Sequence, residues 1–144
     1  MPRFSIITPV YNPPQDAFEL CVKSVLEQTN PDWEWCLTND ASPDEWVAQR
    51  LQELQLTDSR IRVTNRVQNG GIVAASNDAI ALARGEFLVL LDNDDELHRE
   101  TLDLVAVALN DAPDCDYLYS DENKISSEGS HFDDFPKPTW SPER

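Results

Sequence analysis

The sequence predicts an α/β domain of three layers, with helices on both faces of a mainly parallel sheet. Three observations carry this. Strand-like and helix-like segments alternate from residue 4 to residue 120, the pattern of right-handed β-α-β crossovers. The strand-like runs end in polar groups, which a parallel sheet would gather on one edge. A chain of 144 residues with 40% hydrophobic content has the size of a single domain, one that buries roughly 68–70% of its unfolded surface.

The elements follow in order. Phe4 to Thr8 (FSIIT) read as a buried strand, which Pro9 and the pair Pro13-Pro14 are expected to stop. Phe18, Cys21, Val22, Val25 and Leu26 recur at helical spacing and predict an amphipathic helix over 15–29. Residues 33–40 (WEWCLTND) are a second strand. Pro43 then opens a helix, where its missing N–H costs little, and Val47, Leu51 and Leu54 form its apolar stripe. Residues 61–65 (IRVTN) are a third strand. The Ala-rich stretch 71–83 is a helix ended by Gly85. Residues 86–91 (EFLVLL) are the fourth and most hydrophobic strand. Leu102, Val105, Ala106 and Leu109 mark a fourth helix, closed by Pro113, and 116–120 (DYLYS) a fifth strand. From 121 to 144 three prolines and weak periodicity suggest a loop or extended excursion. The domain is therefore expected to occupy 1–120, with 121–144 an extended excursion leading away from it, after which the chain looks cut short.

Charge narrows the partners. Eleven basic against 27 acidic residues give 11 − 27 = −16, which argues against nucleic acid or anionic lipid bound through a broad basic surface. No apolar run approaches the ~20 residues of a membrane span, and the N-terminus lacks a signal-peptide pattern. Cys21, Cys36 and Cys115 are odd in number, with no C-x-x-C pair. They read as buried reduced thiols of a cytoplasmic protein.

The polar groups at the strand ends are Thr8-Pro9-Val10-Tyr11-Asn12, Asn39-Asp40-Ala41-Ser42, Asn69-Gly70-Gly71, Asp92-Asn93-Asp94-Asp95 and Ser120-Asp121-Glu122. Each has an ordinary structural reading. Asp40 and Ser42 could be turn or cap residues, Asn69-Gly70-Gly71 a loop leading into a helix, Tyr11 a core aromatic, and Asp95 or Glu96 a helix cap. Capping, however, needs one carboxylate, and 92–96 holds four. Asp92 and Asp94, one residue apart, can face a single cation. Oxygen ligands and few protein contacts suit Mg²⁺ or Mn²⁺ held jointly with substrate phosphates. Dinucleotide and P-loop glycine signatures are absent. Gly70-Gly71 still precedes a helix, whose N-terminus attracts phosphate. With Tyr11 offering a face to a base and Asp40 an acceptor for a base N–H, the set describes a nucleoside-diphosphate site.

These segments, SIITPVYN, TNDAS, NGGIVAASNDAI, LLDNDD and YSDENKI followed by KPTWSPE, resemble the family 2 glycosyltransferases. The resemblance spans almost the whole chain and is nearest to bacterial enzymes of surface polysaccharide such as O-antigen. It implies the Rossmann-like glycosyltransferase A fold and a hexosyltransferase-like, metal-dependent, inverting transfer from a nucleoside-diphosphate sugar to a saccharide or lipid-linked acceptor. It also implies residue roles. Thr8, Pro9, Tyr11 and Asn12 would border the base and ribose, Asp40 would read the base, and Asn69 and Gly71 would lie beside the sugar-phosphate. Asp92 and Asp94 would be the D-x-D pair, with Asp92 facing ribose and metal, Asp94 the metal, and Asn93 between them. Two departures stand out. Ala75-Ser76 occupy a position where many members carry Arg. The acceptor half with the catalytic base would follow KPTWSPE, leaving Asp121 and Glu122 as weak candidates, and residues 1–144 alone are expected not to transfer sugar. The full-length protein would be cytoplasmic, peripheral to the inner face of the membrane. A receiver-like Mg²⁺-binding signalling domain and a non-catalytic nucleotide-binding module are the competing functions. The former wants paired acids after the first strand, where this chain has Thr8-Pro9.

Overall fold

In the computed structural model, which describes residues 1–139, strand and helix alternate through a first unit, Met1–Val107. The order is β1 (Phe4–Val10), α1 (Gln15–Leu26), β2 (Trp33–Asn39), α2 (Glu45–Thr57), β3 (Ile61–Asn65), α3 (Gly71–Leu82), β4 (Phe87–Leu90) and α4 (Thr101–Asp111). The sheet runs β3-β2-β1-β4 with every pair parallel. The steps from β1 to β3 move one way across it and the step from β3 to β4 returns. Right-handed crossovers therefore put α1 and α2 on one face and α3 on the other. Packing agrees: Ala79 of α3 clusters with Ile7 and Cys36, while the Phe18 and Trp46 rings of α1 and α2 lie 6.0 Å apart. Trp33, Trp35, Phe4, Phe18 and Leu37 are fully buried, each stabilising the fold by roughly 1.5–3 kcal/mol or more.

β1 continues through Pro9 instead of stopping there. Residues 3 and 7 direct their carbonyls at β4, accepting from Phe87 and Leu91, whereas Val10 accepts from Asp40 beyond β2. Pro9 thus turns its missing N–H toward β4, whose pairing with β1 has already ended at Ile7. No ladder bond is lost, so a proline fits within a central strand.

The amino-terminal edge of the sheet holds a buried acid that the sequence did not single out. Glu34 is 1% exposed. Its Oε1 accepts from Ser5 Oγ (2.7 Å) and the Arg84 N–H (2.5 Å), and Oε2 from Arg84 Nε (3.1 Å) and a terminal guanidinium nitrogen (2.9 Å). Ser5 Oγ in turn accepts the Gly85 N–H at 2.8 Å. A Cβ on Gly85 would lie 2.6 Å from that hydroxyl, so glycine is needed here for close approach, whereas α3 itself ends at Leu82 with Ala83 as its C-cap and not at Gly85 as expected.

β4, the most hydrophobic strand by sequence, forms an edge of the four-stranded sheet, with Leu88 and Leu90 exposed. Two expectations further along the chain are corrected. Residues 116–120 form no strand. Apolar and aromatic content alone does not make one, since β-structure requires a neighbour to pair with. The second unit, which begins at Ala108, instead contains an antiparallel hairpin of β5 (Glu122–Ile125) and β6 (His131–Phe135), in the stretch expected to be a loop or extended excursion. Its turn is built by Ser126, whose hydroxyl accepts from the Glu128 and Ser130 N–H groups, and by Gly129 at φ +83°. Of the segment KPTWSPE, the residues after Thr139 lie outside the described part.

Candidate functional site

At the carboxyl edge of the sheet Pro9, Val10, Tyr11, Asp40, Asn69, Gly71, Ile72, Ala75, Asp92, Asn93 and Asp94 line one cavity of about 360 Å³. Parallel strands produce this: β1 delivers Pro9 to Tyr11, β2 delivers Asp40, α3 begins at Gly71, and β4 releases the acidic loop. Seven of the nine expected nucleotide residues, and both expected metal ligands, border the space. Two of the nine do not. Thr8 is fully buried and its hydroxyl accepts the Trp35 Nε1–H at 2.8 Å. Asn12, at φ 45°, knits the turn by donating its N–H to Ser42 Oγ (3.0 Å) and accepting the Asp44 N–H (3.1 Å). Ser42 is thus a turn residue. Val10, Ile72 and Ala75 were missed. Ile72 and Ala75, three apart after Gly71, share the helix face beside the glycines, and that spacing was the available signal.

Asp40 is the structural centre. It is 2% exposed. Oδ1 accepts the Gly70 N–H (2.8 Å) and forms an ion pair with Arg66, whose Nε lies 3.0 Å away, and Oδ2 accepts the Gly71 N–H (2.9 Å). The carboxylate satisfies two backbone donors at the start of α3, which has no side-chain cap from Gly70. Asn69 ties the same loop back, donating Nδ2–H to the Asp40 carbonyl at 3.2 Å. Gly71 at φ +82° occupies a conformation that L-residues rarely adopt. Arg66 also pairs with Asp78, so the nearby cation neutralises protein carboxylates. A carboxylate has about four acceptor positions; the two N–H groups take one on each oxygen and Arg66 stands against Oδ1, which leaves a position on Oδ2.

Asp92 and Asp94 are exposed and face the cavity from the other side. Below them the Cys21 thiol is pushed up to about 12, first by burial and then by Asp95, Asp94, Glu96 and Asp92. It stays protonated and donates weakly to the Asp92 carbonyl at 3.6 Å. Among the described residues no group of three or more His, Cys, Asp or Glu is placed to hold a metal. Two exposed carboxylates fit a hard divalent ion that keeps several waters and shares phosphate oxygens, and do not make a closed protein cage. Asp121 and Glu122 belong to the second unit. There Asp121 accepts the Lys137 N–H (2.7 Å) and Glu122 pairs with Lys137 Nζ (2.9 Å).

The family model described as Glycosyl transferase family 2 matches residues 5–128. The O-antigen biosynthesis protein RfbC of Myxococcus xanthus is 36% identical over 142 residues, which are 99% of this chain and 11% of that protein. The structure of S. aureus TarS 1-349 in complex with UDP-GlcNAc aligns with a TM-score of 0.68 at 28% identity, covering 76% of this chain and 31% of that one. The mannosyltransferase PcManGT from Pyrobaculum calidifontis, in complex with GDP-Man and Mn²⁺, aligns at 0.67 and 25% identity over 77% of this chain and 33% of its own. This chain thus spans a third or less of each of these three proteins.

Proposed function

The chain belongs to glycosyl transferase family 2, and on that premise we propose that it binds the donor in a metal-dependent, inverting transfer from a nucleoside-diphosphate sugar during bacterial polysaccharide synthesis. One observation carries the reading: Asp40, the start of α3 and the Asp92–Asp94 pair converge on one cavity. Tyr11, about half exposed at its rim, offers a face for a base, and the open acceptor position on Asp40 takes a base N–H. The backbone around Gly71 approaches the phosphates without a Cβ in the way. Asp92 and Asp94 would hold Mn²⁺ or Mg²⁺, which when bound stabilises the charge of the departing diphosphate. With no Arg at Ala75-Ser76, and Arg66 engaged with Asp40 and Asp78, charge neutralisation leans on that ion. The base for the acceptor hydroxyl is assigned outside residues 1–144; turnover by these residues that is lost on replacing Asp121 or Glu122 would move it inside.

Two neighbours bind nucleotide sugars with different bases, UDP-GlcNAc and GDP-Man, so the screen should include both. Thermal unfolding with UDP or GDP, with and without Mn²⁺, should show a rise only when metal and the right nucleotide are both present. Asp94→Ala should abolish that rise and leave the ligand-free midpoint unchanged or higher, because Asp94 is exposed in a like-charged cluster. A metal-dependent rise that survives Asp94→Ala refutes the ligand assignment.

A further inference from the structure

The acidic loop after β4 has to keep its shape against its own charge. Between Leu90 and Thr101 it has neither strand ladder nor helix. Its backbone polar groups need partners, and one face of α1 and the turn after it supply them. Cys21 reaches the Asp92 carbonyl. Ser24 Oγ donates to the Cys21 carbonyl (2.8 Å) and accepts the Leu97 N–H (3.1 Å). Gln28 Nε2 donates to the carbonyls of Ser24 (3.1 Å) and His98 (2.8 Å), and Oε1 accepts the Leu102 N–H (3.1 Å) at the start of α4. Ser24 and Gln28 are each only 8% exposed, although neither belongs to the apolar stripe that buries the helix. Cys21 and Ser24 share one face of α1, and Gln28, just past the end of the helix, adds to the same side of the contact. Both ends of the acidic loop are therefore held to α1: Asp92 at one, Leu97, His98 and Leu102 at the other.

We propose that Ser24 and Gln28 are positioning residues for the metal site: their polar seam along α1 and the turn after it fixes the loop conformation in which Asp92 and Asp94 face the cavity together. They act through backbone groups and touch no substrate. The proposal rests on the donor-binding reading above and adds residues that lie outside the D-x-D pair. Without the seam, four neighbouring carboxylates at 92–96 favour a splayed loop, and a two-carboxylate site tolerates little displacement. Replacing residues that orient metal ligands typically costs about 10–100-fold in metal affinity.

The test measures free Mn²⁺ by electron paramagnetic resonance in the presence of UDP or GDP, with the 1–144 chain and at a temperature where each variant is folded. Gln28→Met and Ser24→Ala should weaken Mn²⁺ retention about tenfold or more, and faster hydrogen exchange at the Leu97 and Leu102 amides should accompany it. Ser24→Thr, which keeps the hydroxyl, should retain wild-type affinity. A residue that merely supports the fold would change the unfolding midpoint and leave the Mn²⁺ affinity of folded protein untouched; that outcome overturns the proposal. Should Gln28→Met fail to fold, Ser24→Ala decides alone. If wild-type protein retains no Mn²⁺ with either nucleotide, the donor-binding reading falls and the seam with it. If wild type retains the ion and the variants match it, only the seam falls.

Discussion

Replacing Asp40 with Ala separates its two assignments, as a support of the glycine loop and as a base reader. The carboxylate is buried at 2% exposure and accepts two backbone N–H groups, from Gly70 and Gly71. Hydrogen bonds to a charged group contribute about 1.5–3 kcal/mol each, so their combined loss is worth roughly 3–6 kcal/mol. Arg66 does not add a stranded charge, because it is partly exposed and keeps Asp78. Relaxation of the loop toward water favours the lower end, about 3 kcal/mol, which is a large share of a typical total of about 5–15 kcal/mol. Urea unfolding should show a lower midpoint with an unchanged slope. Asp40→Asn should fall between the two, since its single carbonyl oxygen can serve one N–H while its amide opposes the other. A loss below about 1 kcal/mol for Asp40→Ala would refute the anchoring argument, because Gly70 and Gly71 would then have found other acceptors. In folded protein, nucleotide affinity should drop about ten- to a hundredfold from the missing base contact; full affinity in a destabilised variant would leave Asp40 as an anchor alone.

Other predictions concern groups away from the cavity. Burial pushes the Glu34 carboxyl up, but hydrogen bonds from Ser5 and from the Arg84 N–H and guanidinium, with the Arg84 charge, outweigh it and hold the group below its ordinary value. Its stabilisation is therefore present above the ordinary value of 4.5 and is lost as pH falls below it. Glu34→Gln should cost about 1–3 kcal/mol at neutral pH and flatten the acid limb of the stability curve; identical acid limbs would refute this. Burial likewise raises Cys21 to about 12 and Cys36 to about 11, from 9.0. Above pH 9.0 the unfolded chain then binds fewer protons than the native one, so stability should decline as pH rises. At mildly alkaline pH a thiol reagent should label the half-buried Cys115 well before Cys21 and Cys36; equal rates would show that the core opens. Ala41 sits at φ 57° beside Asp40, so Ala41→Gly should stabilise by up to about 1 kcal/mol in thermal unfolding, and a destabilised variant would mean that its backbone is not strained.

The first four strands and the four helices of the described residues are legible because burial in a two-faced sheet imposes local signatures: apolar runs of strand length, helical spacing at Phe18, Cys21, Val22 and Val25, and glycine where the backbone must turn at Gly71. The alternation also dictates which loops share an edge, and so brings Asp40, Gly71, Asp92 and Asp94 together from strand order alone. Local pattern could not say which strand lies at an edge. β4 is the most apolar strand and still has Leu88 and Leu90 exposed, because strand order is a property of pairing between distant segments. Nor could it reveal Glu34, whose burial depends on Ser5 and Arg84 arriving from elsewhere in the chain, or the use of Ser24 and Gln28, which read locally as ordinary polar positions on a helix. Ser126 and Gly129 are turn residues, but the segments they join, 122–125 and 131–135, are mostly polar and exposed and carry no burial signature that would mark them as strands.

The sequence by itself determined the α/β class, the edge on which polar residues gather and the kinds of chemistry those residues can offer, since periodicity, turn chemistry and ligand type are local properties. Only the tertiary structure decided what each side chain is bonded to. It made Thr8 a partner of Trp35, turned Asp40 into the clasp of the glycine loop, and held the acidic loop against α1. A hydrogen bond joins atoms that long-range packing brings within about 3 Å, and residue spacing does not encode that distance.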